Sequence, residues 1–234
     1  FMHPVKSRLA IKEAYAYGVR IFSFDHIDEL NKIREETNYA RDIELFLRLR
    51  VNRKGAAYTL DGKFGANADE ATKLLKQARA YTSKLGVCFH VGSQCMRPEA
   101  FGEAIYDVFD LLEKSKVKID ALDVGGGFPV NYPGMVAPSL NVYFNVIQDA
   151  IKRCNFSDLE IICEPGRALV AQSGALAVRV ELRRENELYL NDGTYGALFD
   201  AGVPNWSYPI KMISSTIANE TSPEMMNFKC FGPS

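Results

Sequence analysis

What this chain has little of excludes more than what it has in plenty. Its 234 residues hold one tryptophan, three histidines and five cysteines. The cysteines, Cys88, Cys95, Cys154, Cys163 and Cys230, are scattered and odd in number, with no C-x-x-C pair. That spacing fits neither a disulfide framework nor a zinc ligand set, so no metal is expected and reduced thiols in a cytoplasmic protein are the reading. No apolar run approaches the ~18 residues of a membrane span. Nor does the chain open on a basic stretch followed by an apolar core, so no secretory signal is expected. The 28 basic and 29 acidic residues leave a formal net charge of -1. Without a basic stripe, neither nucleic acid nor a membrane is an expected partner.

What is present is an ordinary globular composition, 47% hydrophobic and 24% charged, in a chain long enough to bury a real core. It opens at Phe1-Met2-His3-Pro4 and closes at Cys230-Phe231-Gly232-Pro233-Ser234, and both ends read as cut phrases. Between them short apolar runs alternate with amphipathic stretches. Strands are expected over 20–24, 44–51, 87–89, 119–124 and 159–163, and helices over 28–36, 68–85, 97–114 and 140–154, from the two periodicities of two and 3.6 residues. A further strand is expected at Phe1-Met2.

Strand followed by helix, repeated, requires parallel pairing. Asp25, Arg48, His90, Gly125 and Glu164 each fall at or near the C-terminal end of an expected strand. An open doubly wound sheet gathers its ligand at one switch point, whereas here nearly every unit contributes, which favours a (β/α)8 barrel with about six strands countable. After Leu169 the pattern changes. Stretches 175–182 and 187–190 are strand-like, Asn191-Asp192-Gly193 is a turn signal, and Pro204, Trp206 and Pro209 follow. The expected division is a partial barrel over 1–173 and the start of a β domain over 174–234.

One stretch organises the chemistry. Leu159 to Cys163 is an apolar run that ends at Glu164-Pro165-Gly166-Arg167. The Pro-Gly turn places an acid and a guanidinium together at the strand's mouth. An arginine fork suits a phosphate dianion. The carboxylate would repel that phosphate and so faces a cationic part of the same ligand; pyridoxal 5′-phosphate (PLP) carries both features. A salt bridge beside a turn would place the same residues equally well. Gly125-Gly126-Gly127 offers successive amides to an anion, although loops need glycine in any case. His90 offers a flat ring and Ser93 a hydroxyl to a phosphate oxygen, against the alternative of a packed histidine. Lys63 in Gly62-Lys63-Phe64-Gly65 reads equally as a solvated lysine, and Asp200 as a turn residue or as the partner of a cationic substrate tail.

Taken together, His90-Val91-Gly92-Ser93, Asp123-Val124-Gly125-Gly126-Gly127-Phe128-Pro129 and Glu164-Pro165-Gly166-Arg167 resemble the fold type III PLP-dependent decarboxylases of ornithine, lysine, diaminopimelate and arginine. Asn191-Asp192-Gly193-Thr194-Tyr195-Gly196 and Lys63-Phe64-Gly65 are similar to the ornithine or lysine/ornithine branch. The resemblance implies an alanine-racemase-like (β/α)8 TIM barrel followed by a β domain. It implies that Glu164 pairs with the pyridine nitrogen and that His90 stacks on the ring. Phosphate would be held by Arg167, Gly166, Ser93 and the backbone of Gly125, Gly126 and Gly127. Arg48 and Asp25 would support the cofactor, Tyr195 and Asp200 would lie near the distal amine of an amino-acid substrate, and Lys63 would help form a homodimer with shared sites. The implied activity is decarboxylation of ornithine, to putrescine, or of lysine in polyamine biosynthesis, with diaminopimelate decarboxylase as an alternative.

The resemblance implies that the family's covalent lysine would lie upstream of Phe1 and is not Lys6, and that its catalytic Cys-Asp pair would lie beyond Ser234, so this stretch by itself is expected to be inactive. Two other readings share the barrel. A catalytically dead, antizyme-inhibitor-like homologue is expected to lose cofactor contacts that are present here. A racemase uses an arginine at the ring nitrogen, where this chain has Glu164.

Overall fold

Strand parity builds the frame. In a strand alternate residues face opposite sides. On β1 (Ile21–Phe24), following α1 (Arg8–Ala16), Phe22 and Phe24 face one way and Ile21 and Ser23 the other. After α2 (Ile27–Glu36), β2 (Glu44–Arg48) repeats the pattern, with Leu45 and Leu47 against Phe46 and Arg48. The short β3 (Ala56–Tyr58) and α3 (Ala68–Arg79) lead to β4 (Lys84–Cys88), where Leu85 and Val87 oppose Gly86 and Cys88. Beyond β5 (Ser93–Cys95) and α4 (Glu99–Ser115), β6 (Ala121–Asp123) sets Leu122 against Ala121 and Asp123. α5 (Leu140–Arg153), β7 (Glu160–Ile162) and α6 (Arg167–Val170) follow. The computed structural model describes residues 1–51, 55–58, 62–202, 207–213 and 226–233.

The first set of side chains, Phe22, Phe24, Leu45, Leu47, Leu85, Val87 and Leu122, joins the helix residues Leu30, Ile33, Leu75, Phe101, Ile105 and Tyr143 in the main core. The second set makes a smaller cluster on the other face, with Phe46, Cys88 and Ala121 packed by Met2, Ile21 and Ile162. Gly86 is required there, since a Cβ would stand 2.4 Å from the Phe46 ring.

The five parallel strands run in the order β1-β2-β4-β6-β7. Spatial order follows chain order and never reverses, so there is no switch point and the arrangement is that of successive barrel units. The Ser23 amide donates to the Phe1 carbonyl at 3.2 Å, but the strand expected at Phe1-Met2 does not form, and among the described residues the sheet begins at β1. α3 packs against α4, and α4 against α5. At the N-terminal end of the sheet Lys84 bridges Glu44 at 2.8 Å and Glu160 at 2.7 Å.

Three local readings need correction. α3 stops at Arg79, and β4 begins at Lys84; helix to residue 85 is overridden because Leu85 and Gly86 pair with Leu45 and Phe46. The Thr82 hydroxyl fixes that junction by donating to the Lys84 carbonyl at 3.0 Å. α1 is an additional helix, capped by the Ser7 hydroxyl, which accepts from the Ala10 amide. β3 and β5 form an additional antiparallel pair.

The chain divides into two units, one of Phe1–Pro129 with Ala137–Leu169, the other of Val130–Val136 with Val170–Ser234. The second unit holds a three-stranded sheet in which β9 (Glu187–Leu190) lies between β8 (Val180–Arg184), antiparallel, and β10 (Lys229–Phe231), parallel. Tyr189 and Phe231 stack across it at 5.2 Å. Pro204, Trp206 and Ser234 lie outside the described residues.

Candidate active site

The face of the sheet turned away from the helices ends, at its C-terminal edge, in polar residues. Register explains the gathering: Arg48 pairs with Cys88, and Cys88 with Asp123, so all three stand in one row on one face. His90 and Glu164 lie two residues beyond the ends of β4 and β7, at positions of the same parity. Asp25 follows the last residue of β1.

Arg48 is 9% exposed. Burial, together with the Arg48 charge, pushes the His90 imidazole down to about 4. His90 is therefore neutral near pH 7. Its Nδ1 accepts the Gly92 amide at 3.0 Å, which leaves the proton on Nε2. The glycine run lies against this ring. A Cβ on Gly126 would stand 3.3 Å from His90 Nε2 and 2.6 Å from the Glu164 carbonyl. A Cβ on Gly127 would stand 2.2 Å from the Gly92 carbonyl. The Glu164 amide donates to the Gly125 carbonyl at 2.8 Å, so the loops after β4, β6 and β7 interlock through backbone that has no room for side chains.

Asp123, with no role assigned from the sequence, proves central. It is 1% exposed. Its Oδ1 accepts the Gly125 amide at 2.8 Å, and its carboxyl hydrogen-bonds the Glu164 side chain. Burial first, and the Glu164 charge second, push Asp123 up to about 7. The usable signal was parity: Asp123 is an acid at a buried, sheet-facing position two residues before a glycine run. Because Asp123 takes the Gly125 amide, the anion-binding expectation narrows to the amides of Gly126 and Gly127, for which no partner occurs among the described residues.

The other expected residues fall into place unevenly. Asp25 Oδ2 accepts the Gly65 amide at 2.8 Å. With Arg50 Nε donating to the Gly65 carbonyl at 3.0 Å, it ties the Lys63-Phe64-Gly65 loop to the ends of β1 and β2. Ser93 opens β5, which is joined to the glycine loop where the Cys95 amide donates to the Gly127 carbonyl at 2.8 Å. Gly166 and Arg167 follow Glu164 at the start of α6. Lys6 Nζ is enclosed, bonded to the Ser23 carbonyl at 2.6 Å and to Glu29 at 2.9 Å, which marks it as a structural lysine. Tyr195 and Asp200 belong to the second unit, where Tyr195 is exposed and Asp200 lies in a 3₁₀ turn, Phe199–Gly202.

A parallel α/β sheet of barrel type, carrying a carboxyl pair, a neutral histidine and a glycine loop at its C-terminal edge, defines a class of barrel ligand sites. The chain belongs to the fold type III pyridoxal-dependent decarboxylases: residues 1–171 match the family described as pyridoxal-dependent decarboxylase, pyridoxal binding domain. The lysine/ornithine decarboxylase of Selenomonas ruminantium is 34% identical over 221 residues, covering 90% of this chain and 54% of that protein. Antizyme inhibitor 2 of Xenopus laevis is 32% identical over 226 residues, covering 84% of this chain and 47% of that protein. The crystal structure of lysine/ornithine decarboxylase from Vibrio vulnificus complexed with cadaverine superposes with a TM-score of 0.78 at 28% identity, covering 100% of this chain and 61% of that one. The chain thus spans about half the length of the curated relatives it matches.

Proposed function

We propose that this chain forms the cofactor-binding part of a decarboxylase of basic amino acids, with ornithine or lysine as substrate, serving polyamine synthesis in the cytoplasm. The observation that carries this reading is the Glu164-Pro165-Gly166-Arg167 turn at the C-terminal end of β7, with its carboxylate joined to Asp123 and its backbone interlocked with the glycine loop.

The residues present fit PLP. Gly125 and Gly127 adopt positive φ, +69° and +102°, and this turns the loop so that the Gly126 and Gly127 amides are available to phosphate oxygens. Ser93, Gly166 and Arg167 complete an anion-binding set. Glu164 would hold a proton on the ring nitrogen. His90, neutral and flat, would pack on the ring face without adding a charge that would compete for Glu164. The cofactor contributes an electron sink for the pair left when carbon dioxide departs. The chain's own part is to keep that sink charged, oriented and partly desolvated. Tyr195 and Asp200, in the second unit, are proposed contacts for the substrate's distal amine, and Lys63, exposed beside Phe64, a contact in a homodimer.

The similarity to antizyme inhibitor 2 supports a second reading, a non-catalytic binding protein. Glu164→Ala, compared with wild type in the full-length protein, separates the two. Turnover of ornithine or lysine, followed by carbon dioxide release, is expected to fall at least about a hundredfold, since the group meets charge in the transition state. PLP affinity, followed by absorbance titration, is expected to change far less. Full-length wild-type protein that binds PLP yet releases no carbon dioxide from ornithine, lysine, arginine or diaminopimelate would establish the second reading.

A further inference from the structure

We propose that Asp123 is a positioning residue that acts through a proton: in the folded protein Asp123 is the neutral acid, and Glu164 the carboxylate, of one hydrogen-bonded pair. The role assigned to this pair rests on the reading that Glu164 meets the ring nitrogen of PLP.

Ionised carboxylates only accept, so a hydrogen bond between two carboxyl groups requires a proton on one of them. Burial decides which. Asp123 is 1% exposed, whereas Glu164 is exposed at the mouth of the sheet. The charge stays where water reaches it. Geometry assigns the oxygens as well. Asp123 Oδ1 is occupied by the Gly125 amide at 2.8 Å, so Oδ2 carries the proton and donates it to Glu164. The charged and titratable groups around Asp123 are Arg48 on β2, Cys88 on β4, His90 beyond β4, Cys163 and Glu164 beyond β7, and, past Cys88, Asp25. Arg48 favours ionisation of Asp123, but burial and the charge of Glu164 outweigh it.

The consequence is a pair with one negative charge, matched to one pyridinium, and a Glu164 carboxylate whose direction is fixed from behind. Asparagine copies the neutral acid, since its carbonyl accepts from Gly125 and its amide donates to Glu164. It does not copy a carboxylate.

The test compares Asp123→Asn and Asp123→Ala with wild type at pH 6, where the acid form of Asp123 dominates. Binding of PLP and of pyridoxine 5′-phosphate, which forms no covalent link, is followed by fluorescence. Asp123→Asn is expected to bind within about threefold of wild type, and Asp123→Ala about tenfold to a hundredfold more weakly, the value of a hydrogen bond to a charged group. In the unliganded protein, infrared spectroscopy is expected to show a buried carboxylic-acid band that shifts in heavy water and is missing from Asp123→Asn. Equal weakening by both variants overturns the proposal. So does a wild-type spectrum without the band, or a band that survives in Asp123→Asn. If Asp123→Ala does not fold, the infrared comparison of wild type with Asp123→Asn decides alone. If neither phosphate ester binds wild type while the band is present, the cofactor reading fails and the shared proton stands.

Discussion

Gly125 carries the loop after β6 through a conformation that a side chain would not tolerate. Its φ is +69°, and a Cβ would stand 2.0 Å from the Phe89 carbonyl. Gly125→Ala is expected to cost roughly 2 to 5 kcal/mol, from strained backbone plus a clash with main chain that has nowhere to move. A urea midpoint equal to wild type would show that the loop yields instead. His90 and Asp123 make opposite pH contributions. The imidazole, lowered from 6.5 to about 4, contributes stability that is present above 6.5 and is lost as pH falls through about 4. Asp123, raised from 3.8 to about 7, contributes stability that is present below 3.8 and is lost as pH rises through about 7. Between about 4 and 6.5 the two slopes oppose each other. Removing the imidazole in His90→Gln leaves the Asp123 slope alone, so the variant is expected to lose stability relative to wild type as pH rises through this window. Denaturant melts at several pH values read this directly, and a pH-independent difference would mean that His90 is charged in the folded state.

Among the elements, β5 matters more than its length suggests. The Cys95 amide donates to Gly127, and the Cys95 carbonyl accepts the Tyr143 hydroxyl at 2.7 Å. One residue thus ties the glycine loop to α5, where Tyr143 packs edge-on against Phe101 at 5.7 Å. Tyr143→Phe keeps the ring and removes the bond, and is expected to cost about 1 kcal/mol and to speed hydrogen exchange at the Cys95 amide. Unchanged exchange would show that the Gly127 contact suffices. The alternation of Leu45, Leu47 and Leu49 with Phe46 and Arg48 was legible in the sequence because period two reports directly which face is buried. For the same reason the strand-end residues Arg48, His90 and Glu164 could be placed on one edge. The end of α3 was not legible, because residues 80–85 continue a helical pattern that only pairing with β2 overrides. Neither was α1, whose single buried residue is Ile11, nor the Asp123–Glu164 bond, which joins residues 41 positions apart that meet only through the register of β6 with β7.

At the scale of the molecule, the sheet of the first unit ends at β7, where Ile161 is 39% exposed and Leu169 71%. An open parallel edge flanked by apolar side chains invites pairing with another chain. A polypeptide of these residues alone is expected to self-associate, with a sedimentation coefficient that rises with concentration, and a monomer at all concentrations would show that the edge is covered. The strand order carries one further consequence, for synthesis. Each parallel strand of the first unit lies beside the strand of the preceding βα unit. As the chain leaves the ribosome, every new strand therefore finds its neighbour already made, and no earlier strand has to be parted to admit a later one. The sheet can grow in the direction of translation, one unit at a time. The buried acid on β6 is enclosed only when β7, the last of the five, arrives with the glutamate that shares its proton.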